Sequence, residues 1–140
     1  MQEKQRLKAR IWELLNLLSK KSNEESTKET IQELVTLGGK AIPTLITALS
    51  KDETASIRMH ASQALKEIAR KKPEEVIQAV PALIEVLEKE ELVSAHYYLA
   101  HLIYNSEETL ELIAKKSGFE NHNDLIVAFR SGKKITILEK

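Results

Sequence analysis

One nine-residue pattern occurs twice in this chain. Ala41-Ile42-Pro43-Thr44-Leu45-Ile46-Thr47-Ala48-Leu49 returns 38 residues later as Ala79-Val80-Pro81-Ala82-Leu83-Ile84-Glu85-Val86-Leu87. In each copy the proline suits the first turn of a helix, where its missing N–H leaves no bond unmade. A second helix follows each copy. Ala61, Ala64, Leu65 and Ile68 align with Ala95, Tyr98, Leu99 and Leu102 at an offset of 34, so the loop Lys51 to Ser56 reads as longer than its counterpart. Two helices per unit at a period near 38 specify an α-solenoid. One helix pair cannot bury its apolar face alone; stacked pairs can, and alanines let them approach.

The rest of the chain carries the same helical punctuation. Leu7, Ile11, Leu14, Leu15 and Leu18 form one apolar stripe on a first helix over about Glu3 to Lys20. Ser22 stands three residues before Glu25, a capping-box spacing, and Gly38-Gly39 ends the second helix. Asp52 and Thr54 are candidate caps for a helix reaching about Lys71, and Pro73-Glu74-Glu75 opens a short helical turn. A helix over Leu92 to Tyr104 is expected next, then a new one started by Asn105 and Glu108 and stopped at Gly118. A last helix covers about Asn123 to Arg130, and Lys133 to Lys140 forms a β-prone tail. The paired acids Glu74-Glu75, Glu90-Glu91 and Glu107-Glu108 read as groups at helix starts, where a carboxylate meets the positive end of the dipole.

Composition narrows the chemistry. The 140 residues include no cysteine, which excludes disulfides, Cys-ligated zinc and a thiol nucleophile. Lys+Arg and Asp+Glu are 21 each, which disfavours a generally basic nucleic-acid binder. The charge is segregated: residues 1–72 carry +5, residues 73–114 carry −8 and residues 115–140 carry +3. Along a solenoid, sequence order is spatial order. The segregation reads either as ordinary solvated faces or as a field that steers a partner of mixed charge. No run approaches 18 apolar residues and the first residues lack the apolar stretch of a signal peptide, so the expected location is the cytoplasm, with no membrane contact.

The segments Ala41-Ile42-Pro43-x-Leu45-Ile46-x-x-Leu49 and Arg58-x-x-Ala61-x-x-Ala64-Leu65-x-x-Ile68 resemble the two helices of HEAT repeats, including the short type named after phycobilisome lyases. The resemblance implies an all-α fold: a short right-handed α-α superhelix of about three to four helix pairs, one domain over residues 1–132 followed by the tail 133–140. Its clearest repeats are residues 41–70 and 79–104. It further implies that Arg58 braces neighbouring repeats through carboxylates, and that the second helix of each pair lines the concave surface.

Candidate site residues follow from helical geometry. At 100° per residue, Tyr97, His101 and Tyr104 fall on one face of their helix, opposite Ala95, Leu99 and Leu102, with Tyr98 expected in the core. Tyrosine joins large contact area to a polar tip, which suits an interface. On the preceding second helix Met59, Ser62, Lys66 and Arg70 read as an outward, basic strip. Trp12, off the first stripe, either packs under a neighbouring helix or stands exposed as a hot spot.

His60, His96, His101 and His122 have no metal-ligand spacing, and no Ser-His-Asp, P-loop or G-x-S-x-G pattern occurs. The expected function is non-catalytic protein–protein binding on the concave surface, through Tyr97, His101, Tyr104, Lys66 and Arg70, with no cofactor or metal. The partner is a protein, with a weak homodimer also open. Nucleic-acid binding through Lys66, Arg70, Lys71 and Lys72 is the alternative, and an accessory role in a lyase-type enzyme is a more distant one, for which no residue here supplies the chemistry.

Overall fold

Proline, glycine and one threonine set the main element boundaries. The computed structural model describes residues 2–20, 24–90 and 96–138. Among these residues the chain forms α1 (Gln2–Lys20), α2 (Glu24–Leu37), α3 (Ile42–Ala48), α4 (Ala55–Lys71), α5 (Pro73–Val76), α6 (Val80–Lys89), α7 (Tyr97–Lys116) and α8 (His122–Arg130). Pro43, Pro73 and Pro81 each stand in the first turn of a helix. Thr54 caps α4 by accepting the Ile57 N–H at 3.2 Å. Gly38 takes φ +55° after α2, the conformation expected of a glycine at a helix end. The capping role expected of Ser22 falls outside the described residues, as do Leu92 and Ala95.

The helices stack as pairs. α1 and α2, α3 and α4, and α6 and α7 are partners, and α8 packs on α7 to close the end. α2, α4 and α7 form one layer, with α4 in contact with both. On the other side α1 meets α3, and α3 meets the turn Ile77–Ala79 that leads into α6. α4 touches α1, α2, α3, α5 and α7, so most of the core converges on it. Ala61, Ala64 and Leu65 are fully buried there, beside Leu15 and Leu18 from α1, Leu45 from α3, Leu83 from α6 and Leu102 from α7. Trp12 packs half-buried against this core.

The second unit departs from its expected outline. α7 runs unbroken to Lys116, so no helix starts at Asn105, and the unit that opens at Ala79 continues past 104. His96 caps α7 through its side chain, which accepts the Leu99 N–H at 3.4 Å. Asn105 is buried mid-helix. Its side-chain amide donates to Ser62 Oγ at 3.1 Å and its Oδ1 accepts from Lys66 Nζ at 3.0 Å. The Asn-x-x-Glu spacing of a cap is therefore an interior spacing here, and the carboxamide is satisfied across the α4–α7 contact.

The packing register moves accordingly. Across the α4–α7 contact Ser62 and Lys66 meet Asn105, and Lys66 and Arg70 meet Glu108, offsets of 38 to 43 where the sequence suggested 34. A slip of about two helical turns keeps the same face inward. It also lifts Tyr98 out of the core, to 36% exposure, and leaves Leu99 half-buried.

The tail is docked. Ile135 is buried, Ile137 packs on the core, and the Leu138 N–H donates to the Lys116 carbonyl at 2.8 Å.

Candidate partner-binding face

α7 displays one open stripe: Tyr97, His101, Tyr104, Glu108, Glu111 and Lys115. Helical spacing sets these residues on one side, opposite the buried Leu102, Ser106, Leu110 and Ile113. The stripe has two halves of different chemistry.

The downstream half is committed to internal pairs. Glu108 accepts the Tyr104 hydroxyl at 2.7 Å and lies 3.6 Å from Lys66 Nζ and 3.7 Å from Arg70 Nη2. That bond to a carboxylate holds the Tyr104 phenol above its ordinary pKa. Glu111 accepts from the His122 ring at 2.9 Å and from the His122 backbone N–H at 2.7 Å, with Lys115 at 3.6 Å; the His122 side chain, first of these, holds the carboxyl below its usual range. A groove lined by Arg70, Glu108, Glu111, Leu112, Lys115 and Lys116 runs along this half, between α4 and α7.

The upstream half is aromatic and open. Tyr97 is 64% exposed and Tyr104 54%, and His101 is exposed between them. The Tyr97 and His101 rings lie 4.4 Å apart, tilted by 54°, and Tyr98 meets Tyr97 edge-on at 5.3 Å. Lys66 holds its ammonium 5.6 Å from the Tyr104 ring centroid. Tyr98 leans toward His60 of α4, whose centroid is 6.5 Å away. His60 is buried and bonds the Ser56 carbonyl at 2.8 Å through Nδ1; burial lowers its pKa.

The structure thus brings Tyr97, His101 and Tyr104 together and places the two basic candidates beside them in different states. The Lys66 side chain is only 13% exposed, held by Asn105 and Glu108. Arg70 is exposed but paired with Glu67 at 2.8 Å. The outward strip expected on α4 is mostly an interhelix surface: Met59 and Ser62 are buried, because α7 lies along this side of α4.

Arg58 is the brace that its motif implies. It is buried, donates to the Leu49 carbonyl at 2.9 Å and pairs with Glu90 at 2.6 Å, joining α4 to the end of α6. Glu90 accordingly follows a helix instead of starting one, and Glu107 and Glu108 lie inside α7; of the paired acids only Glu74-Glu75 keeps its expected place, while Glu91 is outside the described residues.

Charge segregation along the chain has a structural use. Lys51, Arg58, Lys66 and Arg70 from the basic segment meet Glu90 and Glu108 from the acidic one. From the other side, Lys115 meets Glu111 and Arg130 meets Glu88. Part of the asymmetry is matched between neighbouring units, at Glu88, Glu90 and Glu108. Among the described residues no group of His, Asp or Glu is arranged to hold a metal, and no helix is long and apolar enough to cross a membrane.

Paired helices stacked in two layers, each resting on its neighbour, define an α-solenoid. The family model of HEAT repeats matches residues 11–113, and the chain belongs to that family. No curated protein and no solved structure matches it. HEAT repeats generally mediate protein–protein interaction.

Proposed function

We propose that this protein is a non-catalytic binding module that holds a protein partner on the α7 face, with Tyr97, His101 and Tyr104 as anchors and Arg70 at the margin. One observation carries the reading. Six large hydrophobic side chains are exposed among the described residues, and three of them, Tyr97, Tyr98 and Tyr104, lie within eight residues of one helix. Such rings lose little conformational freedom on docking and bury much area, as interface anchors do. The internal pairing of Lys66 and Arg70 engages two of the four cations of the nucleic-acid alternative and leaves the exposed Lys71 and Lys72 at the end of α4, a short cationic run for a phosphate backbone.

Site-specific photocrosslinking in cells tests this. A benzophenone side chain at 97, 101 or 104 is expected to trap the same protein, and one at Glu85 on α6 is not. Adducts found only from Glu85, or from none of the four sites, refute the reading.

A further inference from the structure

Away from the tyrosine ridge, a cavity of about 370 Å³ lies between α3, α6 and the loop that joins α3 to α4. Its size falls in the range of small-molecule sites, about 300–1,000 Å³. Ile46 and Leu49 from one repeat and Ala82 and Val86 from the next give it an aliphatic wall.

Arg58 lines the same cavity from α4, with its side chain only 7% exposed. A guanidinium carries five N–H donors. Nε donates to the Leu49 carbonyl and Nη1 to Glu90, whereas Nη2 has no hydrogen-bond partner among the described residues. The brace between repeats thus uses one edge of the fork and leaves an amino group unmet. A buried donor without an acceptor is costly, so an acceptor arriving in the cavity gains more there than on the open surface.

The charges around the cavity select that acceptor. Lys89 is matched by Glu85 at 3.1 Å. Arg58 and Lys51 share one carboxylate, Glu90, at 2.6 and 3.9 Å, which leaves one positive charge over. Asp52, the remaining acid of the lining, is exposed in the loop, where water and salt screen it; the buried guanidinium is screened far less. One negative charge on an apolar body suits this arrangement. A dianion would bring a second charge toward Glu85 and Asp52 with no cation left for it, and would make no use of the aliphatic wall.

We propose that the cavity binds a small amphiphilic monocarboxylate. Its carboxylate accepts from Arg58 Nη2 beside the Lys51 ammonium, and its hydrocarbon part lies on Ile46, Leu49, Ala82 and Val86. Such a ligand touches α3, α4 and α6 at once, so its binding tightens the contact between two repeats.

The test follows backbone amide shifts of the full, isotope-labelled chain, with hexanoate as the probe. Saturable shifts are expected around residues 46–52, 58 and 82–89. Hexan-1-ol and hexylammonium keep the chain without the carboxylate and should bind at least about tenfold more weakly, the effect of one charge-assisted hydrogen bond. Acetate keeps the carboxylate without the chain and should also bind at least about tenfold more weakly, for want of apolar contact. Ala82→Phe fills the cavity, leaves the Arg58–Glu90 pair in place, and should abolish the shifts. Arg58→Lys keeps the charge, lacks the fork, and should weaken hexanoate at least about fivefold; if that variant does not fold, Ala82→Phe decides alone. Tyr97→Ala should leave the affinity unchanged, which separates this site from the α7 face. No saturable binding, hexan-1-ol binding as tightly as hexanoate, or wild-type affinity in Ala82→Phe overturns the proposal. So does acetate matching hexanoate, which would mean an adventitious ion only. Shifts confined to α7 overturn it and move the ligand to the tyrosine ridge.

Discussion

At single residues the fold is held by close approaches that tolerate little change. Gly39 donates its N–H to Glu75 Oε1 at 2.8 Å, and a Cβ on Gly38 would come within 2.7 Å of the same oxygen. Gly38 also sits at φ +55°, where an L side chain costs about 1–2 kcal/mol. Gly38→Ala should therefore lower stability by about 1–3 kcal/mol in urea unfolding. Adding it to Glu75→Ala should cost less than the sum, since both act on one contact; strict additivity would mean that the carboxylate is not what crowds the glycine. His60 supplies a pH test. Its folded pKa lies below the unfolded value, with burial as the main cause. Above about pH 6.5 both states are neutral and the native contact contributes in full. As pH falls below that value the unfolded chain takes up a proton that the buried ring refuses, so stability declines. The His60→Asn variant should show a flatter urea midpoint between pH 7.5 and 5.5. If its slope matches wild type, the decline belongs to other groups, such as Glu111, whose lowered pKa acts at more acidic pH.

Among the elements, α4 and α7 decide the architecture, and they show how far a sequence can be read. Leu65 and Leu110 are both fully buried, whereas Leu99 is half-buried. Replacing Leu65 or Leu110 by alanine should cost about 2–5 kcal/mol each, and Leu99→Ala distinctly less. Equal losses at 99 and 110 would restore the register suggested by the sequence. That register was wrong for a physical reason. Periodicity reports which face of a helix turns inward, not how far along its axis the contact falls, and a slip of about two turns preserves the face. The first helices were legible because Pro43 and Pro81 pin them, and Ala61, Ala64 and Leu65 were legible as core. Legible too was the ridge of Tyr97, His101 and Tyr104, because its phase survives the slip. The burial of Lys66 and Asn105 was not, because it depends on which turn of α7 lies against α4. Asn105→Ala should cost about 1–3 kcal/mol, since it leaves the Lys66 ammonium and the Ser62 hydroxyl short of a partner.

Across the whole molecule, stability should be local, because each unit touches only its neighbours. The C-terminal end makes this testable. α8 packs on α7, and the tail then returns across the end of α7: Ile135 is buried, Lys133 lies 5.7 Å from the Phe119 ring centroid, and Leu138 bonds the Lys116 carbonyl. Gly118, at φ +87°, lets Leu138 come close; a Cβ there would lie 2.8 Å from its side chain. The tail thus acts as a cap, covering apolar surface that an unfinished solenoid would show to water. Ending the chain at Gly132 removes one buried isoleucine and a half-buried one, a loss of about 2–4 kcal/mol on the usual scale for apolar burial. In a chain of nearest-neighbour units that loss should not spread evenly. Hydrogen exchange should quicken in α8 and in the last turns of α7, while the amides of α4, braced by Arg58 and enclosed by five helices, keep their protection. Uniform acceleration along the chain would instead mean that the molecule unfolds as one cooperative block. The tyrosine ridge, at the other end of α7 from the cap, would then be no more independent of the tail than the core is.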